Sequence, residues 1–235
     1  MADKPTGQPA RAPGAVTLRV IAALLSYPDP WQRSHLAEMR ALLRQDQALP
    51  GTRLRELEAL IGSLQGGEPL ELEAAYVELF DRGRATSLHL FEHVHGDSRD
   101  RGPAMIDLGQ TYQSAGLVLN ESELPDYLPA LLEFISTQPQ REAKAFLVEI
   151  AHLLNGIFGA LRQRESAYAS LLGALLDLGG QKAEAVPPPA EPPLDESWAE
   201  PPAFDGCSTQ GQARPGQPQP VRVVRKNHGL QGVAP

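Results

Sequence analysis

The chain has 235 residues, 42% of them hydrophobic and 21% charged, with a formal net charge of −8. That length holds one domain of ordinary size plus tails, and a balance this acidic excludes a phosphate-tracking protein, so no nucleic-acid partner is expected. Cys207 is the single cysteine, which excludes an internal disulfide framework and a cysteine-based metal site, and fits a reducing, cytoplasmic setting.

Residues 1–15, with Pro5, Pro9 and Pro13, read as a flexible lead-in; no apolar core of a signal peptide follows the first residues. From Val16 onward the hydrophobic period is helical. Leu18, Ile21, Ala22 and Leu25 make a first stripe that ends before Pro28. A second helix is predicted over Trp31 to Leu49, with Leu36, Met39, Leu42 and Leu43 inward. Pro50-Gly51 stops it, and Thr52 is the expected N-cap of a third, which carries Leu54, Leu57, Leu60, Ile61 and Leu64 and closes at Gly66-Gly67. Pro69 to Phe80 reads as a fourth helix.

Residues 81–102 are polar, and a short helix over Leu88–His93 followed by a charged loop is expected there. Pro103 suits the first turn of the next helix, which runs to about Ala115 and stops at Gly116. Pro125 to Ser136 is predicted as another helix. Residues 140–178 read as a long helical hairpin or bent pair, broken near Arg164–Ser166 and ended by Gly179-Gly180. No segment alternates like a strand except Val221–Val224, too short for a sheet. The fold class is therefore an all-α, bundle-like domain over residues 16–180. No stretch is long and apolar enough to predict membrane insertion. Half of the 22 prolines lie from Pro187 onward, so residues 181–235 are expected to be a largely disordered tail with Trp198, Phe204 and Cys207 as its islands.

Two polar segments carry the candidate chemistry. In the first, His89 and His93 are spaced i, i+4 on the expected helix, which is metal-ligand spacing, and His95 and Asp97 follow. A zinc- or iron-dependent hydrolase built on His89, His93, His95 and Asp97 is one reading. Against it, no base, orienting group or open coordination position can be assigned. The competing reading is a capping and ion-pair network, in which Asp97 or Ser98 caps a helix and Arg99 and Arg101 pair with Asp97, Asp100 or Glu92. No nucleophile elbow, Walker loop or dinucleotide-binding loop is present. The second segment is Asn120–Leu128. Pro125 and Asp126 suit a helix start, while Glu121, Glu123, Asp126 and Tyr127 together make an acidic, aromatic patch suited to a basic, partly apolar peptide.

These segments resemble a known family. Tyr76-Val-Glu-Leu79-Phe80 matches the aromatic-x-x-Leu-Phe motif of the chaperones that serve molybdoenzymes. Glu123-Leu-Pro125-Asp126-Tyr127 matches their Glu-x-Pro-Asp-His motif, with Tyr127 where many members have histidine. The run from Leu90 through His93, His95, Asp97, Arg99, Asp100 and Arg101 to Gly102, continuing to Tyr112, resembles the NarJ-type nitrate reductase assembly chaperones. The resemblance spans roughly residues 16–180.

It implies a helical domain without catalytic turnover and with no metal or cofactor of its own. The implied partner is the apo catalytic (alpha) subunit of respiratory nitrate reductase. Its N-terminal segment would be held while the molybdenum cofactor is inserted and before membrane attachment. Candidate client contacts are Tyr76, Phe80, Leu124, Pro125 and Tyr127 as an apolar wall, with Glu123 and Asp126 as polar anchors. The signature loop, with His89, His93, His95, Asp97, Arg99, Asp100 and Arg101, is expected beside them. A helical adaptor with no tie to metalloenzymes is the remaining alternative.

Overall fold

The first helix, α1 (Ala15–Leu25), is buried on nearly every side and forms the axis of the fold. Its sequence explains this, because Arg19 is the one charged residue among eleven, and even its Nε donates to Ser136 Oγ at 2.9 Å. Gly14 precedes the helix at φ +95° and offers no capping side chain. The cap comes from outside: Asp46 Oδ2 accepts from the Thr17 N–H at 3.0 Å and from the Thr17 hydroxyl at 2.5 Å. A computed structural model describes this architecture over residues 14–96, 98–120 and 123–184. The lead-in before Gly14, Asp97, Glu121 and the tail residues Trp198, Phe204 and Cys207 lie outside the described residues.

Helix α2 (Pro30–Asp46) starts on good local chemistry, with Asp29 Oδ1 accepting from the Gln32 N–H at 2.7 Å and proline at its first position. It buries Leu36, Met39 and Leu43, and it ends at Gln47, whose φ of +50° turns the chain. Helix α3 (Gly51–Gly66) buries Leu57, Leu60, Ile61 and Leu64 as the periodicity predicts. Thr52 is not its N-cap: Pro50 occupies that position and Thr52 lies inside the first turn. Helix α4 (Pro69–Tyr76) does not run on to Phe80 as α-helix, because it widens into a π turn over Val77–Asp81, followed by a 3-10 turn at Arg84–Thr86.

Helices α5 (Leu90–His95) and α6 (Arg101–Ser114) follow, and Gly116 at φ +78° ends the second of them. Helix α7 (Leu128–Thr137) begins three residues later than the sequence suggests; Pro129, not Pro125, holds the proline-tolerant first turn. The C-terminal stretch is three helices rather than two: α8 (Gln140–Glu149), α9 (Ala151–Gln163) and α10 (Ala169–Gly179). Helices α8 and α9 meet at a 61° bend, and Glu165 at φ +52° makes the expected break before α10. Helix α10 lies against α1, α3, α8 and α9. Its Gly173 makes room for Arg53, whose Nε donates to Asp177 Oδ2 at 2.8 Å and so fastens α3 to α10.

The core is one mostly aliphatic cluster to which all ten helices contribute, with Tyr76, Phe80, Tyr112 and Phe134 as its aromatic members. Among the described residues the β structure is a single antiparallel bridge between His89 and Tyr127. No single described helix is long and apolar enough to cross a membrane. The fold makes one direct prediction about the external cap of α1. Asp46→Ala should lower unfolding free energy by about 1 kcal/mol, the usual worth of a capping side chain, and urea unfolding checks it. Asp46→Asn should recover part of the loss, because its amide oxygen can still accept from Thr17.

Candidate functional site

The Tyr76–Phe80 and Glu123–Tyr127 motifs, nearly fifty residues apart, meet at one cleft, and the His89–Tyr127 bridge joins the signature loop to the second of them. Leu90 N–H donates to Asp126 O at 3.0 Å and Leu128 N–H to Leu88 O at 2.8 Å. This short pairing fixes the segment before α7 beside the segment before α5. It also turns the Asp126 side chain inward, where it has no solvent exposure.

Asp126 holds three elements. Its Oδ2 accepts from the Phe91 N–H at 3.1 Å, in the first turn of α5, which has no capping side chain of its own. Its Oδ1 lies 3.2 Å from His89 Nδ1. Arg101, the first residue of α6, sits 3.7 Å from Oδ2 and 3.4 Å from Glu92 Oε1. A carboxylate removed from water needs such partners, because an unmatched one is strongly destabilising. The backbone beside it is anchored too: the Tyr112 hydroxyl donates to Pro125 O at 2.8 Å, and the Tyr112 ring packs on Phe134 at 4.9 Å. Asp126 is thus a strut inside the site and not a first-turn helix residue or a surface anchor. Pro125 is half-buried and is not among the residues that line the cleft.

The histidines of the signature loop go to separate partners. His89 precedes α5 instead of riding on it, so His89 and His93 do not share a helical face. The hydrogen bond to Asp126 raises the His89 pKa, and burial opposes it. His93 Nε2 contacts Ser87 O at 2.9 Å, and His95 meets the Phe91 ring edge-on at 5.5 Å. Ser98 Oγ donates to Asp100 Oδ2 at 3.2 Å, and Arg99 is exposed. Among the described residues no three His, Cys, Asp or Glu side chains are arranged to hold a metal ion. Of the capping and ion-pair reading, the Arg101–Glu92 pair is present at 3.4 Å, whereas no side chain caps the start of α6.

The opposite wall comes from the end of α4. Tyr76 and Phe80 are 4% and 5% exposed, so they belong to the core and to the cleft floor at once. The Tyr76 hydroxyl donates to Leu25 O at 2.8 Å and lies 3.2 Å from the Tyr127 hydroxyl. Burial pushes both phenols above their ordinary pKa. The Phe80 ring packs at 4.8 Å from Tyr76 and edge-on at 5.1 Å from Tyr168. The His89 ring lies 5.3 Å from Tyr127.

Together these groups enclose a cleft of about 390 Å³. Five of the seven residues expected to touch a client line it: Tyr76, Phe80, Glu123, Leu124 and Tyr127. Tyr27, Asp81 and Leu88 also line it without having been legible as contacts, and His89 is the one residue of the signature loop in the lining. The rims are apolar and open to solvent, with Tyr27 43% and Leu124 46% exposed. Beyond Tyr27 a shallower depression continues along α4 past Leu70 and Val77.

The buried strut sets two expectations for stability. Asp126→Ala should cost about 1–3 kcal/mol, since the Phe91 N–H loses its acceptor in a dry site, and denaturant unfolding would measure it. The raised His89 pKa gives a pH signature. A histidine with a folded pKa above its unfolded value of about 6.5 stabilises fully below that pH, and the contribution fades as pH rises through the folded pKa. The stability gap between wild type and His89→Gln should therefore be widest at low pH and should close in mild base. A gap independent of pH would contradict the Asp126 pairing.

Comparison with known proteins places the chain. Residues 45–172 match the family model of the nitrate reductase delta subunit. The chain is 47% identical over 163 residues to the nitrate reductase molybdenum cofactor assembly chaperone NarJ of Escherichia coli strain K12, covering 69% of each chain. It is 32% identical over 162 residues to the probable chaperone of the same name from Bacillus subtilis, covering 68% of this chain and 86% of that one. In fold it resembles a protein from Archaeoglobus fulgidus described as a redox enzyme maturation protein, with a TM-score of 0.52 at 19% identity over 75% of this chain and 99% of the other. The chain belongs to the nitrate reductase delta subunit family, among the NarJ-type molybdenum cofactor assembly chaperones.

Proposed function

We propose that this protein is a cytoplasmic assembly chaperone that holds the N-terminal segment of the apo catalytic subunit of a respiratory nitrate reductase in the Tyr76–Tyr127 cleft. It holds that segment while the molybdenum cofactor is inserted and before membrane attachment, and it is no part of the finished enzyme. The observation that carries the reading is the convergence of both family motifs on one open aromatic cleft.

The chemistry of the cleft supports a helical, partly basic guest. Its floor is made of aromatic rings already fixed by packing, so little order is lost when an apolar side chain enters. Its rims, Tyr27 and Leu124, offer exposed apolar surface on both sides. An amphipathic helix can lay its apolar face into such a groove and leave its charged face in water. Glu123 at the mouth favours lysine or arginine on the guest. Release needs no energy source, because a catalytic subunit that folds around its cofactor withdraws the segment from the free pool.

Calorimetric titration with a synthetic peptide of that N-terminal segment tests the proposal. Wild type should bind at micromolar affinity or tighter, about −8 kcal/mol. Leu124→Asp, at an exposed rim, should weaken binding at least about tenfold, roughly 1.4 kcal/mol, with an unchanged melting temperature. Equal binding by Leu124→Asp, or equal binding of a scrambled peptide, would remove the cleft from the account.

A further inference from the structure

The π turn at Val77–Asp81 interrupts α4 where the cleft needs its side chains. Its defining bond runs from Arg82 N–H to Val77 O, five residues back, at 3.1 Å. In an uninterrupted α-helix each residue turns about 100°. Phe80 would then stay within about 40° of Tyr76, but Asp81 would swing about 140° away and leave the cleft. Bonding to the fifth residue stacks positions five apart instead. Asp81 therefore joins Tyr76 and Phe80 on the cleft wall. Burial chiefly raises the pKa of Tyr76 and Tyr127, and the Asp81 charge adds a smaller part.

The turn is held from behind. The Leu79 carbonyl, which would serve Gly83 in an α-helix, accepts the hydroxyl of Thr86. That hydroxyl also reaches Gly83 O at 3.1 Å, and Thr86 is wholly buried. Gly83 has no room for a side chain: a Cβ there would fall 2.5 Å from Arg164 Nη1 and 2.8 Å from Leu79 O. Asp81 itself is exposed and makes no ion pair among the described residues, while its neighbour Arg82 is engaged by Glu78 at 2.9 Å.

We propose that the π turn sets the charge specificity of the cleft: it places Asp81 as the carboxylate that reads a lysine or arginine of the bound segment, and Thr86 is the positioning residue that holds the turn. This rests on the client reading above and adds to it a determinant that lies in neither acidic sequence motif.

The test titrates the same N-terminal peptide, and a second version with its lysines and arginines replaced by norleucine, into full-length protein. Asp81→Asn should weaken the basic peptide about three- to tenfold, the range of an exposed to partly desolvated charge pair, and leave the norleucine peptide unaffected. Thr86→Val should show the same selective loss, Thr86→Ser should restore affinity, and the Asp81→Asn/Thr86→Val double variant should lose no more than Asp81→Asn alone. Equal losses on both peptides, no loss, or additive losses would overturn the proposal while leaving the client reading in place. Failure of wild type to bind either peptide would overturn both.

Discussion

The site depends on one buried carboxylate. Asp126 is sealed from solvent, and three partners surround it: the Phe91 N–H of α5 and the His89 ring at hydrogen-bond distance, and the Arg101 guanidinium of α6 as an ion pair at 3.7 Å. An isolated carboxylate in such a place would cost more than the domain can spare. Its partners must therefore be present together, and this couples their positions. With α5, α6 and the start of α7 held to one point, Tyr127 is delivered to the Tyr76 hydroxyl and the cleft acquires its second wall.

The same device opens the fold. Helix α1 begins at a glycine with no capping oxygen, and Asp46 from the end of α2 supplies one. Helix α5 begins without its own cap, and Asp126 supplies that. In both cases a helix start is made conditional on a distant segment. The first ties the axis of the core to its neighbour; the second ties the signature loop to the cleft. Packed walls with exposed rims follow.

Most of the helical plan was legible in the sequence, because apolar spacing at 3.6 residues survives in α1, α2, α3, α9 and α10. What was illegible came from tertiary partners. Pro125 and Pro129 are equally good helix starters by local rules; the pairing of Leu88 with Leu128 decides for the later one. Asp126 looked like a surface anchor because its sequence neighbours are acidic, and only the donors from α5 and α6 turn it inward. Residues 77–80 read as ordinary helix, since nothing in Val-Glu-Leu-Phe announces a π turn; the Leu79 carbonyl finds its partner in the Thr86 hydroxyl, seven residues on. Tyr27 and Asp81 were missed for the same reason. The motif residues Tyr76, Phe80 and Tyr127 stand out in the sequence, but their places as floor and wall of the cleft follow from packing.

The measurement that tests the account most directly is site-specific photocrosslinking in cells making the apo catalytic subunit. A benzophenone amino acid would replace Leu124 at the cleft rim or Val148 on α8, two positions of similar exposure, 46% and 44%. The account predicts a crosslink from position 124 that maps to the N-terminal segment of the catalytic subunit, and none from position 148. A crosslink from 148 with none from 124, or one from 124 to another part of the subunit, would contradict it.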